Sequence, residues 1–322
     1  MKNFSLKNNI VAYLVSMRWP YSFISGMAAW IGIIFCGINP DISKQIIVLS
    51  IAFIGWGVNQ VINDYLGINE DRINAPNRPM VTGQLDIRFA LTMSTILGMI
   101  GLIVTYQLNR EALIFYLFVF GLNIVYERTK RMPLLGNIFF GLLIAPCIYW
   151  AAMCVGARRL LDVLFDSKLA SLAILVWLSN FVLCFFTDFK DFKGDKKTGV
   201  RTLVVVLGIH KAKYLGFILI AIPFLCLYYF LKLSLLFPYL SNIYFLVMIV
   251  LSFLSFLYPA ILFSKYPGGK STYYSLKWVI MAVTLFQTAL IGLVNPYLST
   301  ILFMLNLICI YLLFSLYKDY RA

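Results

Sequence analysis

One histidine, thirteen acidic residues and no Cys-x-x-Cys pair in 322 residues exclude several kinds of chemistry at once. His210 cannot by itself build a Ser-His-Asp triad or a histidine zinc site. The six cysteines (Cys36, Cys147, Cys154, Cys184, Cys226, Cys309) fall in apolar stretches, where buried thiols sit, and their spacing fits no disulfide framework or thiolate cluster. Charged residues make up 12% of the chain and hydrophobic residues 61%, a balance that excludes an ordinary soluble domain and indicates a polytopic membrane protein. The first twenty residues lack a compact apolar core followed by a small-residue cleavage site, so the first span is expected to be an uncleaved signal anchor.

What is present is a series of apolar windows, each sized to cross about 30 Å of hydrocarbon. They lie near 20–37, 45–62, 89–107, 111–126, 134–155, 169–187, 212–231, 240–263, 274–293 and 296–317. The expected fold is an all-α bundle of nine or ten transmembrane helices, a single domain over 1–322 with two pseudo-repeated halves and a lateral or cytoplasm-facing cavity. With the N-terminus inside, 21 of the 27 basic residues fall in cytoplasmic segments, as the positive-inside rule requires. The other six are Lys44, Arg110, Arg158, Arg159, Lys168 and Lys232. The net charge of +14 is thus placed by topology and anionic lipid, and no nucleic-acid partner is needed to explain it.

Seven acidic residues cluster in two segments that each follow a span. NDYLGINEDRINAPNRP (63–79) carries Asp64, Glu70 and Asp71, with Asp86 further on; FFTDFKDFKGDKKTGVRTL carries Asp188, Asp191 and Asp195. If the helices run on past the membrane, Asp64 and Asp71 share one face, and Asp188, Asp191 and Asp195 share another at i, i+3 and i+7. Like charges stacked this way repel unless a cation lies among them. Carboxylates with an amide oxygen such as that of Asn63 suit Mg²⁺, which binds through a few carboxylates, water and substrate phosphate. Nearby Arg72, Arg78, Lys190 and Arg201 suit a diphosphate.

These residues resemble the UbiA superfamily of intramembrane prenyltransferases. Asn63, Asp64, Asp71 and the trailing DRINAPNRP look like its Asn-Asp-x-x-Asp-x-x-x-Asp motif and Asp-Arg…Arg-Pro continuation (motif 1, 63–79). Asp188, Asp191, Asp195 and GVRTL look like its second Asp-x-x-Asp-x-x-x-Asp motif (motif 2, 188–203). Arg18-Trp-Pro opens the first span as the family's Arg-Pro does, and YERTKRMPLLGN supplies Tyr126, Lys130 and Asn137.

The resemblance implies a Mg²⁺-dependent prenyltransferase of the inner membrane, if bacterial, with its active site facing the cytoplasm. The implied metal ligands and catalytic residues are Asp64, Asp71, Asp188, Asp191 and Asp195, with Asn63 as a further ligand. The implied diphosphate contacts are Arg18, Asn63, Arg72, Arg78, Tyr126, Lys130, Asn137, Lys190 and Arg201. The partners are a polyprenyl diphosphate donor, a small, lipophilic and expectedly aromatic acceptor, and the bilayer. One departure stands out: Gly67 occupies the position of the central aspartate of motif 1. Room vacated there for a folded isoprenoid would suit a cyclase that needs no acceptor, the alternative reading. Transport would instead call for ionisable groups at mid-bilayer depth, whereas these gather at one end.

Overall fold

A computed structural model describes residues 5–236, 243–269 and 271–316, and among them every regular element is a helix. In lipid a backbone must satisfy its own polar groups, and long apolar segments without strand partners do so as helices. Each of the ten windows falls on one. They are α1 Trp19–Ile34, α2 Ile42–Leu66, α3 Ile87–Leu108, α4 Leu113–Thr129, α5 Leu135–Gly156, α6 Ser167–Thr198, α7 Ile209–Lys232, α8 Ile243–Lys265, α9 Ser271–Ile291 and α10 Pro296–Leu316. Eight are long and apolar enough to cross a membrane; α1, with 16 residues, and α4, with 17, are shorter. Positions 240–242 and 317 of two windows, and the basic tail 318–322, lie outside the described residues.

Local chemistry sets the helix starts. The carboxylates of Asp41, Asp86 and Asp166 accept backbone N–H bonds at the starts of α2, α3 and α6, satisfying donors that a helix start leaves free. Gly199, at φ +78°, ends α6 in the left-handed conformation, which glycine adopts without steric cost. A short helix, Leu6–Ser16, precedes the bundle with Leu6, Ile10 and Leu14 exposed and Asn9, Tyr13 and Ser16 buried. It is clamped to the start of α3 by Tyr13–Ser94 at 3.0 Å and by the Asp86 amide donating to Asn9 at 3.0 Å.

α6 and α9 form the centre. The apolar window of α9 is 83% buried, against 17% for α3 on the periphery. α6 packs on α9, α7 and the first half of α5; α1 packs on α2, α9 and the second half of α5; α10 packs on α9 and α1, closing the ring. Ile96, Met99, Ile103, Ile114 and Leu117 point outward as an apolar face, as lipid requires. All six cysteines are free thiols.

Candidate active site

Motif 1 begins on the last turn of α2. The chain breaks from the helix at Gly67 and resumes as Ile68–Asn74. The Gly67 amide donates to the Asn63 carbonyl at 2.8 Å and the Asp71 amide to the Gly67 carbonyl at 3.0 Å, so the helical ladder runs through the break and Asp64 and Asp71 keep one face. Asp64 is 2% exposed and Asp71 8%. Burial on that scale demands counter-charge, and two arginines supply it. Arg18, at the start of α1, pairs with Asp64. Arg78 pairs with Asp71 and lies 3.2 Å from Asp64.

Burial pushes the Asp71 carboxyl above its usual range against the pull of Arg78. Burial also works against the Arg78 charge, but Asp64, Asp71 and Asp191 together outweigh it and hold the guanidinium protonated. Asn63 Oδ1 is buried with no hydrogen-bond partner among the described residues.

Motif 2 rides on α6. Its 32 residues span about 48 Å at 1.5 Å per residue, well beyond about 30 Å of hydrocarbon. The carboxylates therefore sit on the overhanging turns. Asp188 accepts from Asn137 at 3.4 Å, and Asp191 lies 3.3 Å from Lys190. Asp195, 7% exposed, accepts from Asn74 Nδ2 at 3.2 Å. That bond joins the two motifs across 121 positions of sequence.

The approach depends on Gly194, because a Cβ there would overlap the Asn74 amide. Gly194→Ala is expected to evict Asn74 from Asp195 and to lower kcat/KM about 10–100-fold, the range for losing a group that orients a metal ligand. The check is steady-state kinetics beside a melting curve. Normal kinetics would show that the bridge is dispensable.

Tyr126, on α4, contacts Cys184 and packs against Phe140 at 5.7 Å. Cys184 in turn contacts Asn137, placing Tyr126 and Asn137 together beside Asp188. Lys130 pairs with Glu127 at 2.5 Å.

Two residues that the resemblance assigns to the diphosphate stand apart. Arg72 and Arg201 are exposed, and no ion pair among the described residues joins either to the carboxylates. Arg201 instead donates its backbone amide to the Arg131 carbonyl at 3.1 Å, tying the loop after α6 to the loop after α4. Outward-pointing side chains on helix ends are indistinguishable from inward ones by residue type alone.

Gly67 does not open toward the hydrocarbon. A Cβ there would lie 3.1 Å from Lys130 Nζ, 3.2 Å from the Asn63 carbonyl and 3.8 Å from Glu127 Oε2, so the missing side chain borders polar groups and gives no room to a folded isoprenoid. Three participants were not singled out from sequence: Gln60, 3.4 Å from Asp64; Asn74; and Glu127. Gln60 stands one turn before Asp64, Asn74 lies inside motif 1, and Glu127 follows Tyr126, so each had a positional signal.

A narrow cavity of about 40 Å³ beside Arg18, Asp64, Arg78 and Lys190 marks the polar centre. Among the helices, Trp56, Phe115, Tyr116, Phe120 and Trp150 line a second, largely apolar space of about 90 Å³. Residues 22–278 match the UbiA prenyltransferase family model. The chain belongs to the UbiA prenyltransferase family.

It is 32% identical over 221 residues to digeranylgeranylglyceryl phosphate synthase of Pyrococcus horikoshii, covering 66% of this chain and 76% of that protein. It is also 32% identical over 223 residues to the synthase of the same name from Methanosarcina mazei, covering 64% and 74%. Its fold matches the structure of a UbiA homologue from Archaeoglobus fulgidus bound to GPP and Mg²⁺, with TM-score 0.65 at 19% identity over 88% of this chain and 99% of that one. An all-α polytopic architecture and integral membrane residence follow for this member of the family.

Proposed function

We propose that this protein transfers a prenyl group from a polyprenyl diphosphate to the hydroxyl of a glycerol-phosphate-type lipid, with Mg²⁺ as cofactor and the diphosphate held at the motif end, facing the cytoplasm. The observation that carries the reading is the meeting of two buried carboxylate helices through Asn74 and Asp195, beside Arg18 and Arg78. The acceptor class rests on the names of the relatives, which carry a glyceryl phosphate. They give no support to the aromatic acceptor expected from the family at large.

The residues suit Mg²⁺. Among the described residues no three acidic groups stand close enough to enclose a metal unaided, and Mg²⁺ does not need such an enclosure: one or two carboxylates, waters and substrate phosphates suffice. The unpartnered oxygen of Asn63 is a ready donor. Asp64 and Asp71 with Asn63 on motif 1, and Asp188, Asp191 and Asp195 on motif 2, would each lend one or two carboxylates to Mg²⁺ together with water and the substrate's phosphates, and Mg²⁺, when bound, supplies charge neutralisation to the leaving diphosphate.

Arg18, Arg78, Lys130 and Lys190 would face the same anion, while Asn137 donates to Asp188 and Tyr126 lies beside it through Cys184. The acceptor oxygen forms its bond to the allylic C1 as the bond from C1 to the diphosphate oxygen breaks. That electron pair leaves on the diphosphate, which also takes the hydroxyl proton. Aromatic walls keep water from the allylic cation and offer cation–π stabilisation.

Membranes containing the protein are to be assayed with geranylgeranyl diphosphate and a geranylgeranyl glyceryl phosphate acceptor. Diphosphate release that requires the acceptor is the expected result; release with hydrocarbon products and no acceptor would overturn the reading. In the same assay Lys130→Ala is expected to raise the donor KM about tenfold, the scale of one charge-assisted contact, with a smaller effect on the acceptor. Equal effects on both would count against a diphosphate contact.

A further inference from the structure

The apolar space among the helices lies on the helix faces that carry the motifs. On α2, Ala52, Trp56 and Asn59 line it, and their helical spacing carries the same face on to Asn63. On α4, Tyr116 and Val119 line it, and their face continues through Asn123 to Tyr126. A chain hung from a diphosphate at the motif end therefore descends into this space.

The space does not end inside the bundle. Ile51, Gly55, Tyr116 and Phe120 also line a neighbouring apolar space of about 70 Å³, which reaches Gly98 and Gly101 of α3. Ile100, on its wall, is 51% exposed and stands beside the outward Met99. Tyr116 lies across the join: its hydroxyl donates to the Gly98 carbonyl at 2.8 Å, and a Cβ at Gly101 would overlap that hydroxyl. Of the α2 residues that line either space, only Gly55 has no side chain, and a Cβ there would meet nothing within 4 Å. The way from one space to the other runs over that missing side chain.

We infer that the donor's isoprenoid tail descends along α2 and α4, crosses α2 at Gly55 beside Tyr116 and leaves toward lipid between α3 and α4, so that Gly55 is the residue that admits donors longer than geranyl. The inference rests on the prenyl transfer proposed above. The occupant is the donor's tail and not the acceptor's, because the face descends from Asn63 and Tyr126, at the end that would hold the diphosphate. Gly55 precedes Asp64 by nine residues, about 13 Å along the helix axis. An isoprene unit adds four chain bonds, roughly 5 Å when extended. Anchored at the carboxylates, the first two units of a tail end short of Gly55, and the third and fourth pass it. A geranyl chain does not reach the passage; a geranylgeranyl chain must use it.

The test is steady-state kinetics on the purified full chain with one acceptor and either geranyl or geranylgeranyl diphosphate. Gly55→Phe is expected to lower kcat/KM for geranylgeranyl diphosphate about tenfold or more, the scale on which an apolar pocket rejects surplus carbons, while the value for geranyl diphosphate moves less than about twofold. Gly55→Ala, which adds a single methyl group, is expected to give a smaller loss of the same pattern. Equal losses with both donors, or none with either, overturn the inference, as does a change confined to the acceptor KM. A second measurement needs no variant: a geranylgeranyl diphosphate analogue with a diazirine on its third isoprene unit is photolysed on the wild type and the labelled peptides are identified. Label on α3 or α4 is expected; label on α9 or α10 in their place overturns the exit. Label on α3 or α4 without transfer of either donor's chain to the acceptor overturns the proposed reaction and leaves the tail path standing.

Discussion

Asp195→Ala and Asp188→Ala are expected to cut prenyl transfer by about 10²–10³-fold while the protein still inserts and melts as the wild type does. That range is typical for removing one group aimed at developing charge. Both residues lie on the overhang of α6, away from its packed middle, so their loss removes few apolar contacts. Asp195 is tied to motif 1 through Asn74 and Asp188 is fixed by Asn137. Each therefore presents an oriented carboxylate, and a waiting cluster of like charges is where a divalent ion gains most. The decisive measurement is turnover across a Mg²⁺ titration, with Mn²⁺ binding followed by electron paramagnetic resonance as a readout independent of activity. Near-normal turnover at limiting Mg²⁺ in either variant would remove that residue from the metal site.

Glu127→Gln is the second large expected loss, and it comes with a rescue. Motif 1 lacks its central carboxylate at Gly67, yet Glu127 reaches from α4 to within 3.8 Å of where a Cβ at that position would stand. Glu127 is expected to supply from another helix the negative charge that Gly67 lacks. Glu127→Gln should weaken Mn²⁺ binding about 10–100-fold, as loss of an ion ligand or its immediate support does. Adding Gly67→Asp to that variant should recover most of it, since the glycine's negative φ (φ −100°, ψ 18°) is open to any residue and Lys130, whose ammonium is the nearest contact, can rotate aside. A double-mutant cycle in Mn²⁺ affinity measures the coupling. Additive losses would show that Glu127 serves only to position Lys130.

The bundle was legible because its information is redundant. Twenty apolar residues in a row state a helix many times over, and each of the ten windows landed on one. Motif 2 was legible for a related reason: an unbroken helix converts spacing into a shared face, and α6 is unbroken. Asp64 and Asp71 keep one face across Gly67 because the hydrogen-bond ladder survives the break. Pairing between distant helices was not legible. Nothing in the chain announces that Asn74 meets Asp195, since amide and carboxylate are both common at helix ends and the contact is set by how α6 docks. The outward aim of Arg72 and Arg201 is likewise a matter of helix rotation, and the apolar passage at Gly55 appears only when α3 and α4 are placed beside α2.

The arginine pairs of motif 1 bear on how the protein is made. Arg18, Asp64, Asp71 and Arg78 lie within sixty-one consecutive positions and are synthesised in one stretch, whereas Asp195 follows more than a hundred residues later. A ribosome adding about 5–20 residues per second leaves that gap open for seconds. During that interval the first carboxylates have their own guanidinium partners and need neither metal nor second half to remain at the membrane surface. The same pairs thus act as internal counter-ions for a nascent chain, and the bundle can wait, half-built and charge-balanced, for the helix that carries Asp195.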